Sequence, residues 1–197
     1  MDTFEAMGTA RSMRWFHPDP VPDDMIERVL WAATRASSPN NTQCWDFVVV
    51  TDPAQRAALG EAMAPFATVT TAMPDPADAT DQRTLQGARN LAARLAEVPV
   101  IIVICGRNIY PEHRPQEHFM WSAVYAAGQN LLVAARALGL GAAFTTFHGT
   151  APEAFHRILG IPHDRHIGVT MPLGWPAGPV GPVTRKPLTE VVHRDRW

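Results

Sequence analysis

Val98-Pro99-Val100-Ile101-Ile102-Val103-Ile104-Cys105 is the longest apolar run in the chain. It is far shorter than the ~20 residues that a membrane-crossing helix needs. Its β-branched content and unbroken apolarity predict a buried strand, with Pro99 in the first turn, where a missing N–H does least harm. Working outward, Phe47 to Thr51 has the same character, ends at Asp52-Pro53 and is predicted as a strand buried on both sides. His166 to Leu173 makes a third.

Helical patterns lie between these strands. Ile26, Val29, Leu30 and Ala33 recur at helical spacing in Asp23–Arg35, with Asp23 and Asp24 as candidate N-caps and Glu27 placed to close a capping box. Shorter helices are expected at Ala54–Met63, Leu85–Glu97 and Pro152–Leu159. The longest, Gln116–Leu138, carries Trp121, Val124, Gly128, Leu131, Leu132 and Ala135 on one broad face, and Gly139 and Gly141 stop it. Ala64–Asp81 is rich in Pro, Thr, Ala and Asp without sustained periodicity and is expected to be a mobile loop acting as a lid. Leu188, Val191 and Val192 form a short strand pattern in the tail, able to pair with a second subunit. Interleaved strands and helices, few of each, predict an α+β (α/β sandwich) fold in one domain over residues 1–197, with a small central mixed sheet flanked by helices.

Composition narrows the function classes. With 46% apolar residues in 197, the chain can bury a sizeable core. A net charge of −2 with scattered basic residues argues against nucleic acid or an anionic membrane as partner. Cys44 and Cys105 are too few for a disulfide framework or a paired-cysteine metal site, and Met1–Arg11 has no apolar core of a signal peptide, so a soluble, cytoplasmic protein is expected. His148, His156, His163 and His166 form the densest histidine group, but in a loop context that predicts surface residues and no metal. Cys44 lacks a visible His and Asp arrangement for nucleophilic catalysis.

Three polar clusters remain. Arg11-Ser12-Met13-Arg14-Trp15-Phe16 places two guanidiniums and a hydroxyl together, as an anion grip requires. Ser37-Ser38-Pro39-Asn40-Asn41-Thr42-Gln43-Cys44-Trp45 offers donors and acceptors suited to a polyol and the edge of a heterocycle, or equally an Asx-rich turn satisfying its own backbone. Arg185-Lys186-Pro187-Leu188 is basic again at the far end.

In this order, and with Trp121-Ser122-Ala123-Val124, Leu138-Gly139-Leu140-Gly141, Leu159-Gly160-Ile161-Pro162 and Leu173-Gly174-Trp175-Pro176, the chain strongly resembles the FMN-dependent nitroreductase family over nearly its whole length. The resemblance implies a nitroreductase-like fold and a homodimer with FMN at the subunit interface and the C-terminal tail exchanged between subunits. It implies tightly bound FMN, NAD(P)H as co-substrate and ping-pong two-electron reduction of a small acceptor such as a nitroaromatic or quinone. Other redox outcomes (dehydrogenation or dehalogenation) and a non-catalytic flavin sensor stay open. By motif, Arg11, Ser12, Arg185 and Lys186 would hold the phosphate and Arg14 the pyrimidine edge, where a cation stabilises reduced flavin. Ser38, Pro39, Asn41 and Gln43 would line the ribityl chain and ring. Thr145 and Thr146, with Phe147, would face flavin N5 through backbone N–H groups. No side chain would act as a catalytic acid, base or nucleophile. Arg83, Arg89 and Asn90 are each candidates for a middle-segment contact. Ala10, Pro39, Asn40 and Cys44 depart from the common pattern of many members.

Overall fold

The computed structural model describes residues 1–197. A five-stranded sheet forms its centre, with β1 (Phe16–His17), β5 (His166–Pro176), β3 (Val100–Gly106) and β2 (Trp45–Val50) in that spatial order, and β4 (Gly141–Ala142) pairing with β5. Every strand pair is antiparallel, not mixed as the sequence predicts. The parallel contact is an isolated bridge, Ser12 to Ala142. β3 is buried along its whole length, as its composition dictates. β2, expected to be covered on both sides, is an edge strand with a half-exposed middle, because β-branched residues suit an edge as well as a centre.

Helices cover both faces. On one side α2 (Asp23–Ala33) and α5 (Glu117–Ala137) pack with β3 and β5 around Ile102, Ile104, Val124, Leu131 and Met171. On the other, α3 (Pro53–Ala72), α4 (Ala79–Ala93) and α6 (Pro152–Leu159) enclose Leu59, Met63, Leu91, Ile101, Val103 and Phe155. α1 (Thr3–Thr9), not foreseen, leans on α5 with Asp2 as its N-cap. α2 is entered through Pro22 without a side-chain cap, so the expected capping box is absent.

The predicted loop at 64–81 is mostly helix. α3 runs through Pro65 to Ala72 and α4 begins at Ala79, capped by Asp78, leaving only a short connection. That connection is fastened by Arg89, which donates to Thr70 O at 2.7 Å, Met73 O at 2.6 Å and Asp75 Oδ1 at 2.7 Å. The first two satisfy carbonyls at the end of α3, and the third is an ion pair. The tail segment predicted as a strand is instead one helical turn, α7 (Leu188–Val191), with Leu188, Val191 and Val192 exposed. No helix is long and apolar enough to cross a membrane.

Candidate active site

The first basic cluster lies where the N-terminal segment crosses the sheet. After α1 the chain runs beside β4: the Met13 N–H donates to Ala142 O at 2.8 Å, and Ser12 Oγ accepts from the Phe144 N–H at 3.3 Å. Ser12 thereby ties the Arg11–Arg14 segment to the 144–147 loop. Phe16 then pairs with Pro176 in β1. Arg14 lies against α4 at Gly87, where a Cβ would fall 2.7 Å from its Cδ, so only glycine admits the side chain in this pose. Burial, and then the nearby Arg11 charge, lower the Arg14 pKa. The chain's ion pairs engage Arg89, Arg94, Arg107 and Arg165, and none of them involves Arg11, Arg14, Arg136 or Arg185.

Of the middle-segment candidates, Asn90 donates from Nδ2 to Arg14 O at 2.7 Å. Arg89 is committed to the α3–α4 connection, and Arg83 is exposed on α4. Arg185 and Lys186 are exposed, but the Val183 N–H donates to Gly8 O at 2.9 Å and so brings the base of the tail to the end of α1 near Arg11. The Thr145 hydroxyl is spent on Thr170 O at 2.7 Å, whereas the exposed Thr146 keeps a backbone N–H with no partner in the chain.

His148 stiffens this loop from behind. It is 8% exposed, its Nδ1 lies 3.1 Å from Thr170 Oγ1, and its ring meets Phe155 edge-on. Burial pushes its pKa down to about 4; a hydrogen bond that the ring donates to the Ile167 backbone works against that and the His156 charge works with it. The neutral ring therefore accepts or donates between β5 and the loop and carries no charge. His156 and His163 stack at the surface, and no three metal-ligating side chains converge.

The Ser38–Gln43 cluster sits elsewhere. Ser38 Oγ accepts from the Gln43 N–H at 2.8 Å, so this hydroxyl closes its own turn. The side chains of Asn41 and Gln43 find no partner within the chain, and Pro39 opens a short 3-10 turn. Asn40, Asn41 and Gln43 hold φ values of 50°, 52° and 46°, a left-handed conformation that costs of order 1 kcal/mol in a non-glycine residue. The loop leads into Trp45, buried as a core anchor and paired across β3 with the His166 end of β5. Ala142, beside Ser12, pairs with Leu173 at the other end of that strand. At strand rise the two ends are roughly 23 Å apart. One chain thus gathers Arg11, Ser12, Arg14 and Asn90 towards one end, with Thr146 two residues beyond the Phe144 N–H that Ser12 holds, and presents Ser38, Asn41 and Gln43 on the loop that leads to the other.

Sequence reasoning missed Gly87, placed at the surface a His148 that the fold buries between β5 and α6, and missed Arg136. None lies in a motif: their roles come from contacts across the fold, with Arg14, Thr170 and Thr9 respectively.

A five-stranded sheet with helices on both faces, and beside it arginines that pair with no carboxylate, make an α+β scaffold with an open cationic edge, and comparison with known proteins gives its family. The Nitroreductase family model matches residues 8–175, and the chain belongs to that family of FMN-dependent oxidoreductases. It is 32% identical to a NADH dehydrogenase of Thermus thermophilus, covering 98% of this chain and 95% of that one. It is 29% identical to the oxygen-insensitive NADPH nitroreductase of Salmonella typhimurium, covering 99% of this chain and 74% of that one. A nitroreductase from Desulfitobacterium hafniense, solved with bound FMN, shares the fold at a TM-score of 0.74 and 19% identity, covering 99% of this chain and 100% of that one.

Proposed function

We propose that the protein is a homodimeric NAD(P)H oxidoreductase that reduces a small organic acceptor, a nitroaromatic or quinone, by two electrons in alternating half-reactions at FMN. The observation that carries this reading is the row of cations without carboxylates, Arg11 and Arg14, set beside an open backbone N–H at Thr146. These residues fit the cofactor. A dianionic phosphate matches Arg11, the Ser12 hydroxyl, Arg185 and Lys186. Arg14, steered by Gly87 and Asn90, meets the pyrimidine edge, and its partial desolvation strengthens its field on charge developing there.

When bound, the flavin supplies N5 as the atom that takes and returns hydride. The chain's own part is to orient and to shield. The Thr146 N–H donates toward the reacting edge, held in place by Ser12 from the front and by Thr145, Thr170 and His148 from behind. The proton that the acceptor takes up with the hydride would come from solvent water, so no side chain here needs to move one.

Distance supports the dimer. Ser38, Pro39, Asn41 and Gln43 lead into Trp45, which is in register with the His166 end of β5, roughly 23 Å along that strand from the Ser12 end, so they would serve a cofactor bound at the Ser12 end of a second subunit. The exposed Leu188, Val191 and Val192 then find cover on the partner, with the tail crossing over.

A mixing experiment tests both statements. Arg14→Ala damages one half-site and Asn41→Ala the other, and each alone lowers FMN-dependent NAD(P)H oxidation. If half-sites come from different subunits, a randomly mixed dimer contains one intact site in half of the molecules, restoring about a quarter of wild-type sites. Mixtures with no more activity than the average of the two variants would refute the shared site.

A further inference from the structure

Arg136, in the last turn of α5, is half-buried, and its Nε donates to Thr9 Oγ1 at 2.9 Å. Thr9 Oγ1 in turn donates to Glu5 O at 2.7 Å, so its proton is used inside α1 and its lone pair fixes the guanidinium. Arg136 and Arg11 line one crevice, floored by Met13, Leu132, Gly141 and Ala142. Arg11 in turn stands close enough to Arg14 to act on its ionisation. Three guanidiniums therefore run in succession along one end of the molecule, and no carboxylate pairs with any of them.

A basic residue in a last helical turn is ordinarily explained by the helix dipole. That accounts for the position of Arg136 but not for its fixation by Thr9 or for the crevice it shares with Arg11. Holding like charges together at a half-buried surface costs free energy unless an anion offsets it. A phosphate dianion, with three acceptor oxygens, suits guanidiniums approaching from two sides.

We propose that Arg136, oriented by Thr9, is a further ligand of the cofactor's phosphate, facing Arg11 across the crevice, and selects the phosphorylated flavin over riboflavin. The inference rests on the FMN reading above. Its test is equilibrium binding to the full-length apoprotein, with FMN and riboflavin titrated in parallel and followed by flavin fluorescence. Arg136→Gln should weaken FMN binding about 10- to 100-fold while leaving riboflavin binding within about twofold, because the lost contact is a charge-assisted one to phosphate alone. Arg136→Lys, keeping the charge without the fork, should retain part of the affinity, and Thr9→Val should lose a few-fold through a cation no longer held in place. Thermal unfolding of each apoprotein tracks folding. Should the Gln variant fail to fold, the Lys and Val variants decide by the same contrast between the two flavins.

Equal losses for FMN and riboflavin, or unchanged FMN affinity, would overturn the assignment while leaving the FMN reading standing. Wild-type protein that takes up neither flavin would overturn both.

Discussion

Acidification should strain the fold through His148. Its imidazole is buried against Phe155 and bonded to Thr170, which pushes its pKa down to about 4. In the unfolded chain the ring returns to an ordinary value of about 6.5. Below that value the unfolded state binds a proton that the folded state refuses, so stability is complete above pH 6.5 and is lost as pH falls toward 4. Between pH 7 and pH 5 the difference in proton uptake is worth about 2 kcal/mol, a large share of a typical domain's stability. Urea unfolding, followed by tryptophan fluorescence in a pH series, measures it. His148→Asn keeps a polar atom near Thr170 but removes the titration. Whatever its starting stability, the variant's profile between pH 7 and pH 5 should be flatter than wild type by about 2 kcal/mol. Other histidines contribute equally to both proteins, so parallel profiles would refute the claim that His148 is held neutral.

Gly87→Ala should change stability little, since a gain of about 1 kcal/mol in helix propensity offsets the crowding of Trp15. It should still weaken FMN binding several-fold by moving Arg14, a split that flavin titration alongside thermal unfolding would reveal. Cys105, buried and with its pKa pushed up to about 12 chiefly by burial, should resist thiol reagents at pH 8 in the native protein and react fully in urea. Labelling of native protein at the denatured rate would contradict its placement in the core.

The sequence showed most clearly those parts of the fold that depend on local pattern. β3, α5 and α6 lie within a residue or two of their predicted bounds, because a long apolar run or a sustained helical period admits few other structures. The 64–81 segment misled because its Pro, Thr and Asp content resembles a loop, whereas Pro65 falls inside α3, and Arg89, from another helix, satisfies the end of α3. The Leu188–Val192 pattern fits a strand or a helical turn equally well in so short a piece, and β2 could not reveal from its own residues that nothing pairs with its outer edge. The residues proposed for the phosphate and the ring were legible as motifs. The placement of Asn90 over Arg83 and Arg89 was not, because it depends on which side chains the fold had already committed elsewhere.

The register that separates Ser12 from Ser38 along β5 has a thermodynamic corollary. If each bound flavin needs groups from two polypeptides, self-association and cofactor retention are linked functions, and each must strengthen the other by the same factor. Dilution then acts as a form of cofactor stripping, and saturating cofactor acts as a form of crosslinking.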